Sequence, residues 1–392
     1  MKSFSVSRLP SLEFGQGRLR AVAGILRDRA ARRAALVTGT SSFRESDHFS
    51  DLATSFAEGE IEHVQFSVGG EPQPSLVDEM KRELGGSAVD AVIAVGGGSV
   101  IDAGKALSAA LHLEGSIRDY LEGVGSKSPT GAKTFFIAVP TTAGTGSEAT
   151  KNAVLSELGE HGFKKSLRHD NYVPDVAVVD PALALSCPAH VTARTGMDAI
   201  TQLLEAYTST GANVFTDSVA EGGLAAAGRS FLAAYTDGDD MAARTDMAYA
   251  AYCSGVCLAN AGLGVVHGIA SPVGALTTIP HGSVCGTLIA ESTRFTLEKL
   301  RAESTTEGAL ALAKYARAGV LLTGEDCGEQ AANANALTER LKELQEATGL
   351  PRLGEYGISK ERVQSIAAMA SVKNHPVSLN ADEIASIIEA RV

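Results

Sequence analysis

Carboxylate, amide and imidazole side chains occur in this sequence at spacings that could bind a metal ion. In GMDAITQLLEAY, Asp198 and Gln202 stand four residues apart, so a helix would place both on one face. The stretch GLGVVHGIASPVGALTTIPHGS adds His267 and His281 among apolar residues and glycines. A lone histidine there would more often be a core residue, but a second histidine and a carboxylate strengthen the case for a metal site, since these ligands suit zinc or ferrous iron. The spacing of the two histidines has no regular geometry of its own.

Two loops of small residues indicate nucleotide binding. In VGGGSVIDAGK a strand-like run enters Gly96, Gly97, Gly98 and Ser99. Glycines let backbone amides approach an anion, and the following helix adds its positive N-terminal end. The spacing matches neither standard phosphate-binding fingerprint, so a plain strand-to-helix turn is an equal alternative for this stretch alone. A second loop, PTTAGTGSEAT, also follows a strand, and ligands of open α/β sheets bind at such ends.

The elements that would position these residues fall into two halves of the chain. The first half alternates strands and helices, which favours a parallel sheet with crossover connections. Its strands are predicted at 34–39, 63–68, 90–99, within 134–148, and at 175–183, and its helices at 75–86 and 100–113. After about Pro181 the strand pattern fades, and we expect helices at 216–235, 243–260, 305–322, 328–348 and 360–370. The sequence therefore predicts an α/β domain over 1–183 and an all-α domain over 184–392.

Composition excludes several classes of protein. The 392 residues are 44% hydrophobic and 20% charged, and their formal net charge of −12 disfavours nucleic acid or an anionic membrane as partner. The five cysteines include no CxxC pair, so neither a disulfide framework nor a thiolate zinc site is suggested. No run of 18 apolar residues occurs, and the N-terminus has no apolar signal-like core. We expect a soluble, cytoplasmic protein.

The chain resembles a known enzyme family over nearly its whole length. GGGSVIDAGKA, VPTTAGTGSEAT, PDVAVVDPAL, TGMDAITQLLEAYTS and GLGVVHGIASPVGALTTIPHG occur in the order seen in iron-dependent (group III) alcohol dehydrogenases. The resemblance implies a dehydroquinate synthase-like architecture. Its Rossmann-like nucleotide-binding α/β domain would span 1–183, and its helical metal- and substrate-binding domain would span 184–392. It also implies hydride transfer between NAD(P)H and a small alcohol or aldehyde, in a protein that forms homodimers.

The resemblance assigns the metal site with two departures from the family. One divalent ion, Fe²⁺ or Zn²⁺, would be held by Asp198, Gln202, His267 and His281, with Asp198, His267 and His281 catalytic. Family members carry a histidine where this chain has Gln202, and a glutamine oxygen is a weaker and harder ligand. Many also carry a histidine where this chain has Ser271, which puts the usual proton route in question.

The resemblance also assigns cofactor contacts. The pyrophosphate would lie on the backbone around Gly96, Gly97, Gly98 and Ser99 with Asp102, and the nicotinamide side would contact Thr141, Thr142, Ser147 and Lys164. NAD-preferring relatives usually carry an aspartate at the position of Gly39, where a carboxylate would repel a 2′-phosphate. Gly39, the hydroxyl of Ser41 and the charge of Arg44 therefore predict NADP(H) over NAD(H). Alternatively, Gly39 only eases a turn and both cofactors are used.

Other activities remain open on the same motifs. A sugar-phosphate cyclase similar to dehydroquinate synthase would share the architecture, although the order of the motifs fits the dehydrogenases better. A reductase of an acidic substrate, such as maleylacetate or a phosphonate aldehyde, would use the same chemistry. A relative that lost the metal could retain nucleotide binding alone.

Overall fold

A computed structural model describes residues 3–86, 88–157 and 162–392 and separates them into two units. The sheet unit comprises Ser7–Thr142 and Gly146–Cys187, and the helical unit comprises Pro188–Val392 with Ala143–Thr145 and the N-terminal residues up to Val6. The change of unit at Cys187 comes slightly after the predicted boundary at 183. The turn Pro181–Ala184 explains this, because the N–H groups of Leu185 and Cys187 donate to the carbonyls of Ala182 and Ala184 and so continue the turn.

In the central sheet of the sheet unit, successive side chains of a strand alternate between two buried faces. In the strand Ala91–Gly96 the side chains of Ala91, Ile93 and Val95 pack into one apolar layer, and those of Val92 and Ala94 pack into the opposite layer. A strand buried on both faces is typical of a parallel sheet covered by helices. The strands are β1 (Ser11–Phe14), β2 (Arg33–Gly39), β3 (Glu62–Val68), β4 (Ala91–Gly96), β5 (Phe135–Pro140), β6 (Asn152–Glu157), β7 (Phe163–Arg168) and β8 (Val176–Val179).

The strand order reverses its direction between β2 and β4. The six-stranded sheet has the order β1-β8-β5-β4-β2-β3, and all its paired strands are parallel. From β2 the chain runs outward to β3, whereas from β4 it runs the other way to β5. Such a reversal is the topological switch point at which open α/β sheets bind ligands. Gly39 ends β2 and Gly96 ends β4, so the residues predicted to contact the ribose and the glycines predicted to hold the pyrophosphate both lie at this switch point.

Helices cover the sheet and form the second unit, which confirms the predicted fold class. The sheet unit contains α1 (Ala21–Asp28), α2 (Asp47–Glu58), α3 (Pro74–Glu83) and α4 (Gly98–Ala110). The helical unit contains α5 (Ala189–Thr208), α6 (Val214–Thr236), α7 (Met241–Ala261), α8 (Val265–Leu276), α9 (His281–Glu303), α10 (Thr306–Thr323), α11 (Gln330–Ala347), α12 (Lys360–Met369) and α13 (Ala381–Glu389).

The sheet unit also contains a second, smaller sheet. The strands β6 and β7 pair as an antiparallel two-stranded sheet that the sequence did not predict.

Among the described helices, none alone has the length and apolar content to cross a membrane. The pair α7 and α8, bent by 98°, passes that test by length and composition only.

Candidate metal centre and nucleotide cradle

Helix α5 carries three buried polar side chains on one face. Asp198, Gln202 and Glu205 are 2%, 3% and 5% exposed, and their spacing of four and three residues aligns them along the helix. The residues between them, such as Ile200 and Leu203, belong to the apolar core of the helical unit. Burying two carboxylates is costly unless cationic or hydrogen-bonding groups meet them, so this face requires partners from other helices.

Glu205 supplies the first of these partnerships by orienting His267. Its Oε1 accepts the N–H of Val266 at 2.7 Å, and its Oε2 accepts the N–H of His267 at 3.4 Å, at the start of α8. The same Oε2 lies 2.7 Å from His267 Nδ1. A carboxylate at Nδ1 favours the tautomer that carries its hydrogen there, which leaves the Nε2 lone pair for a ligand. Metal-binding histidines are commonly oriented in this way.

A close approach of α9 to α5 brings His281 to Asp198. Helix α9 begins at His281, and Gly282 follows it. A Cβ atom on Gly282 would lie 2.2 Å from the carbonyl oxygen of Arg194 and 3.3 Å from Asp198 Cβ, so only glycine allows this spacing. One turn later, Cys285 lies on the same face of α9 and is fully buried.

Four possible ligand atoms converge where these helices meet. His267 Nε2 and His281 Nε2 lie 3.4 and 3.8 Å from Asp198 Oδ1. Cys285 Sγ lies 3.7 Å from each of the two Nε2 atoms, and the four ligand atoms all lie within 4.8 Å of one another. Asp198 Oδ1 is buried and makes no hydrogen bond within the described part of the chain. A buried carboxylate oxygen beside two imidazole nitrogens fits a divalent cation.

The electrostatics of this cluster also favour a cation. Burial alone would raise the pKa of Asp198, but His281 and His267 hold it below its usual value. Burial likewise opposes ionisation of Glu205, yet the hydrogen bond and charge of His267 lower its pKa. Burial raises the pKa of the Cys285 thiol to about 12, so the thiol is protonated without a metal. The site therefore contains two buried carboxylates.

Gln202 uses both ends of its amide within the protein. Its Nε2 donates to Asp198 Oδ2 at 3.4 Å, and its Oε1 lies 3.1 Å from the Ser254 hydroxyl. An amide nitrogen has no lone pair for a cation, so only Oε1 could ligate a metal. The predicted ligand role of Gln202 stays a prediction.

The glycine-rich turn after β4 forms a cradle of backbone amides, which we define as Gly96, Gly97, Gly98 and Ser99. A Cβ atom on Gly96 would lie 2.6 Å from side-chain carbons of Val100, and one on Gly97 would lie 3.3 Å from Thr142 Oγ1. Helix α4 begins at Gly98, and no side chain in the described part of the chain caps its N-terminus with a hydrogen bond. Its first amides thus remain suited to an anion.

The second predicted loop is joined to the cradle and to α4. The N–H of Thr141 donates to the carbonyl of Gly96 at 3.0 Å. The hydroxyl of Ser147 donates to Asp102 Oδ1, and Asp102 Oδ2 accepts the N–H of Val154 at 3.1 Å. Asp102 and Ser147 therefore hold the loop and strand β6 to α4, which is a positioning role. Their contact with a cofactor stays a prediction.

Buried Lys105 of α4 also holds the loop that contains Ser147, whereas Lys164 lies on β7. Lys105 is fully buried, and its Nζ donates to the carbonyls of Ser147 and Asn152 at 2.8 and 2.6 Å. The Nζ of Lys164, which the sequence assigns to the ribose, is paired with the carboxylate of Glu71. A ribose contact would have to compete with or share this ion pair.

Open space at Gly39 and the positive charge of Arg44 lie near the C-terminal end of β2. A Cβ atom built on Gly39 meets nothing within 4 Å. Arg44 reaches the neighbouring strand β3, where Nη1 donates to Ser67 Oγ at 2.6 Å and Nη2 to Gln65 Oε1 at 3.4 Å. Ser67 is the register partner of Thr38, the residue before Gly39. The Arg44 charge, whose direction the sequence left open, thus lies beside the predicted ribose loop, and Ser41 is exposed there.

Two residues of the metal cluster escaped the sequence analysis. Glu205 lies seven residues after Asp198 and Cys285 lies four after His281, so each would share a helix face with a predicted ligand. Neither spacing is informative until the helix and its buried face are known.

Comparisons with known proteins agree with this architecture. A family profile described as "Iron-containing alcohol dehydrogenase" matches residues 10–181, and one described as "Fe-containing alcohol dehydrogenase family, C-terminal" matches residues 192–392. Alcohol dehydrogenase 4 of Saccharomyces cerevisiae is 34% identical over 294 residues, which cover 74% of this chain and 75% of that protein.

Two further relatives cover different shares of the chain. Probable alcohol dehydrogenase EutG of Escherichia coli is 42% identical over 213 residues, 54% of this chain and 53% of that protein, so the match spans about half the relative's length. A crystal structure of 1,3-propanediol oxidoreductase superposes with a TM-score of 0.89 at 28% identity and covers 100% of both chains. The chain belongs to the iron-containing alcohol dehydrogenase family, whose members use NAD(P) and a divalent metal.

Proposed function

We propose that this chain is a metal-dependent oxidoreductase that transfers a hydride reversibly between NAD(P)H and a small alcohol or aldehyde. The observation that carries the proposal is the convergence of Asp198, His267 and His281 from α5, α8 and α9 on one partly buried point. A Zn²⁺ or Fe²⁺ ion bound there would supply Lewis acidity, which favours an alkoxide over an alcohol and polarises a carbonyl.

The protein's own groups prepare that point for a cation. Glu205 accepts from His267 Nδ1 and so holds the Nε2 lone pair toward the cluster. Asp198 supplies a buried carboxylate oxygen without a hydrogen bond in the described structure. Apolar residues of the helical unit surround Asp198 and Cys285, and this low-polarity environment strengthens the electrostatic interactions of the buried carboxylate. Ser271 is exposed on α8 and offers a hydroxyl where many family members carry a histidine, so this chain would not use that histidine for proton transfer.

We further propose that residues 1–183 bind the nucleotide and that residues 184–392 bind metal and substrate. The cradle of Gly96, Gly97, Gly98 and Ser99 would hold the pyrophosphate on backbone amides at the switch point of the sheet. Thr141, Thr142 and Ser147, with Asp102 and Lys164, would line the nicotinamide-ribose side. These contacts are supported by the joining of the two loops at Gly96.

The cofactor is proposed to be NADP(H) in preference to NAD(H). Gly39 presents no carboxylate to a 2′-phosphate and leaves open space beside it. Ser41 offers a hydroxyl, and Arg44 holds a guanidinium at the end of β3. The partners would be a small alcohol or aldehyde and a second copy of the chain, in the cytoplasm.

The test is aldehyde-dependent oxidation of NADPH and NADH, measured with the bound metal in the same preparation. A panel should include short and long aliphatic aldehydes and one acidic aldehyde, with a chelator-stripped sample as the control. We expect turnover that stripping abolishes and that Zn²⁺ or Fe²⁺ restores. Equal turnover in the metal-free sample would contradict the proposal. So would the absence of net cofactor oxidation with every carbonyl at full metal occupancy, as expected of a cyclase.

A further inference from the structure

We infer that the Cys285 thiolate, rather than the Gln202 amide, is the fourth protein ligand of the metal ion. The inference rests on the proposed metal-dependent function and names a ligand that the sequence motifs did not indicate. The thiol would release its proton to solvent, and its sulfur lone pair would then bind the ion, as coordinating thiols do.

The interatomic distances fit one tetrahedral ion. Two nitrogen or oxygen ligands bonded at about 2.05 Å to a tetrahedral ion lie about 3.3 Å apart, and a sulfur at about 2.3 Å lies about 3.6 Å from each nitrogen. In the structure the nitrogen–oxygen distances are 3.4 and 3.8 Å, for His267 and His281 against Asp198. The two sulfur–nitrogen distances of Cys285 are both 3.7 Å. The 3.4 Å distance and the two 3.7 Å distances agree with those edges of a tetrahedron to about 0.1 Å, whereas the 3.8 Å distance of His281 is longer and would have to shorten slightly on binding.

Gln202 does not offer an equivalent donor. Its nitrogen faces Asp198 Oδ2, and its oxygen lies against the hydroxyl of Ser254. Ligation would require that oxygen to turn toward the ion, which would separate it from Ser254 and leave the hydroxyl to other acceptors. Cys285 needs no such rearrangement, because Sγ already lies in contact with both imidazoles.

Another buried cysteine of the helical unit shows what a core-filling thiol looks like. Cys257 lies on α7 in the apolar core, and its Sγ donates to the backbone carbonyl of Thr216 at 3.5 Å. Cys285 is equally buried and borders the same core, but its sulfur also lies beside two imidazoles and a carboxylate. A cysteine selected only for packing would gain nothing from these neighbours, whereas a ligand requires them.

The chemical consequence is a softer site. A thiolate with two imidazoles and one carboxylate favours Zn²⁺ or Co²⁺ over hard ions such as Mg²⁺ and Mn²⁺. Four protein ligands also close a tetrahedral site, so an alcohol oxygen would enter as a fifth ligand.

Cobalt spectroscopy tests the inference without relying on activity. The full-length protein is stripped with a chelator and loaded with one equivalent of Co²⁺ per chain, and its near-ultraviolet absorption is recorded. We expect a thiolate-to-cobalt charge-transfer band that disappears in Cys285→Ser and persists in the matched control Cys257→Ser and in Gln202→Ala. Equilibrium dialysis of each variant establishes that Co²⁺ is bound. X-ray absorption of the Zn²⁺-loaded unmodified protein, which requires no variant, should contain one sulfur at about 2.3 Å.

The outcomes separate this inference from the proposed function. Co²⁺ or Zn²⁺ bound with only nitrogen and oxygen neighbours would overturn the cysteine ligand and leave the metal-dependent function standing. A charge-transfer band that survives in Cys285→Ser would also overturn it. Failure to bind any divalent ion would overturn both. If Cys285→Ser does not fold, the X-ray absorption result decides.

Discussion

The metal cluster and the nucleotide cradle are built in opposite ways. In the helical unit, Asp198, His267 and His281 come from three helices and present side-chain atoms to a common point. In the sheet unit, the four cradle residues are consecutive and present backbone amides at the start of α4. We therefore expect the cluster to lose its metal when a ligand side chain is truncated. We expect the cradle to be disrupted when a side-chain atom is added to one of its glycines.

The largest expected effect tests the first half of this contrast. His267→Ala removes one proposed ligand, so the metal occupancy should fall. The kcat/KM should fall with it, by about a thousandfold or more, because Lewis-acid stabilisation is worth several kcal/mol. The measurement is metal content by mass spectrometry with steady-state kinetics. The matched control is His190→Ala, an exposed histidine on α5, which should retain both. Loss of activity with full metal occupancy would refute the ligand role.

A change of charge without a change of size should weaken the cluster less. Glu205→Gln retains the shape of the residue that orients His267, but removes the carboxylate that accepts from Nδ1. Metal affinity should fall about 10- to 100-fold, as it does when such supporting groups are lost. Competition with a chelator measures it, with the exposed Glu298→Gln on α9 as the control. Unchanged affinity would mean that Glu205 only caps α8.

The loop at Gly39 should tolerate added atoms and respond to added charge. Gly39→Asp finds open space, so the protein should fold, and its carboxylate should disfavour a 2′-phosphate by about 1–3 kcal/mol. We expect the parent to prefer NADPH and the variant to prefer NADH by kcat/KM. Gly39→Asn has the same size without the charge and should shift the preference less. A parent enzyme that clearly prefers NADH would contradict this reading of the loop.

The smallest effect concerns stability at the cradle. Gly96→Ala would place a Cβ atom 2.6 Å from Val100 carbons, so the free energy of unfolding should fall by about 1–3 kcal/mol. Gly24→Ala in α1 meets nothing within 4 Å and should instead stabilise the protein, by about 0.5–1 kcal/mol. Urea denaturation of both variants measures the difference. Equal stability of the two variants would mean that the turn around Gly96 relaxes freely.

The same contrast explains what the sequence could predict. The cradle follows from consecutive residues, and β4 (Ala91–Gly96) lies within the predicted strand at 90–99. Helix α4 begins at Gly98, slightly before the predicted start at 100. Both rest on local pattern, in which apolar alternation ends at glycines. Strand β7 was missed because charged residues such as Lys164 and Lys165 interrupt any simple apolar pattern, and β6 was missed because its apolar run, 153–155, is short.

The metal cluster depends on tertiary contacts that no local pattern encodes. Glu205 and His267 are 62 residues apart, and Cys285 becomes relevant only once α9 is known to begin at His281. Asp198, His267 and His281 were found from the types of their side chains and from the resemblance, and the geometry that joins them comes from the packing of α5, α8 and α9. Sequence could thus nominate three of the four converging residues without explaining why they meet.

One titration tests the central claim that a single metal ion at this cluster supports hydride transfer. Chelator-stripped protein is titrated with Zn²⁺, and aldehyde-dependent NADPH oxidation is followed after each addition. Activity should be absent at first, rise linearly, and stop rising at one equivalent of Zn²⁺ per chain. Full activity before any metal is added would contradict the account.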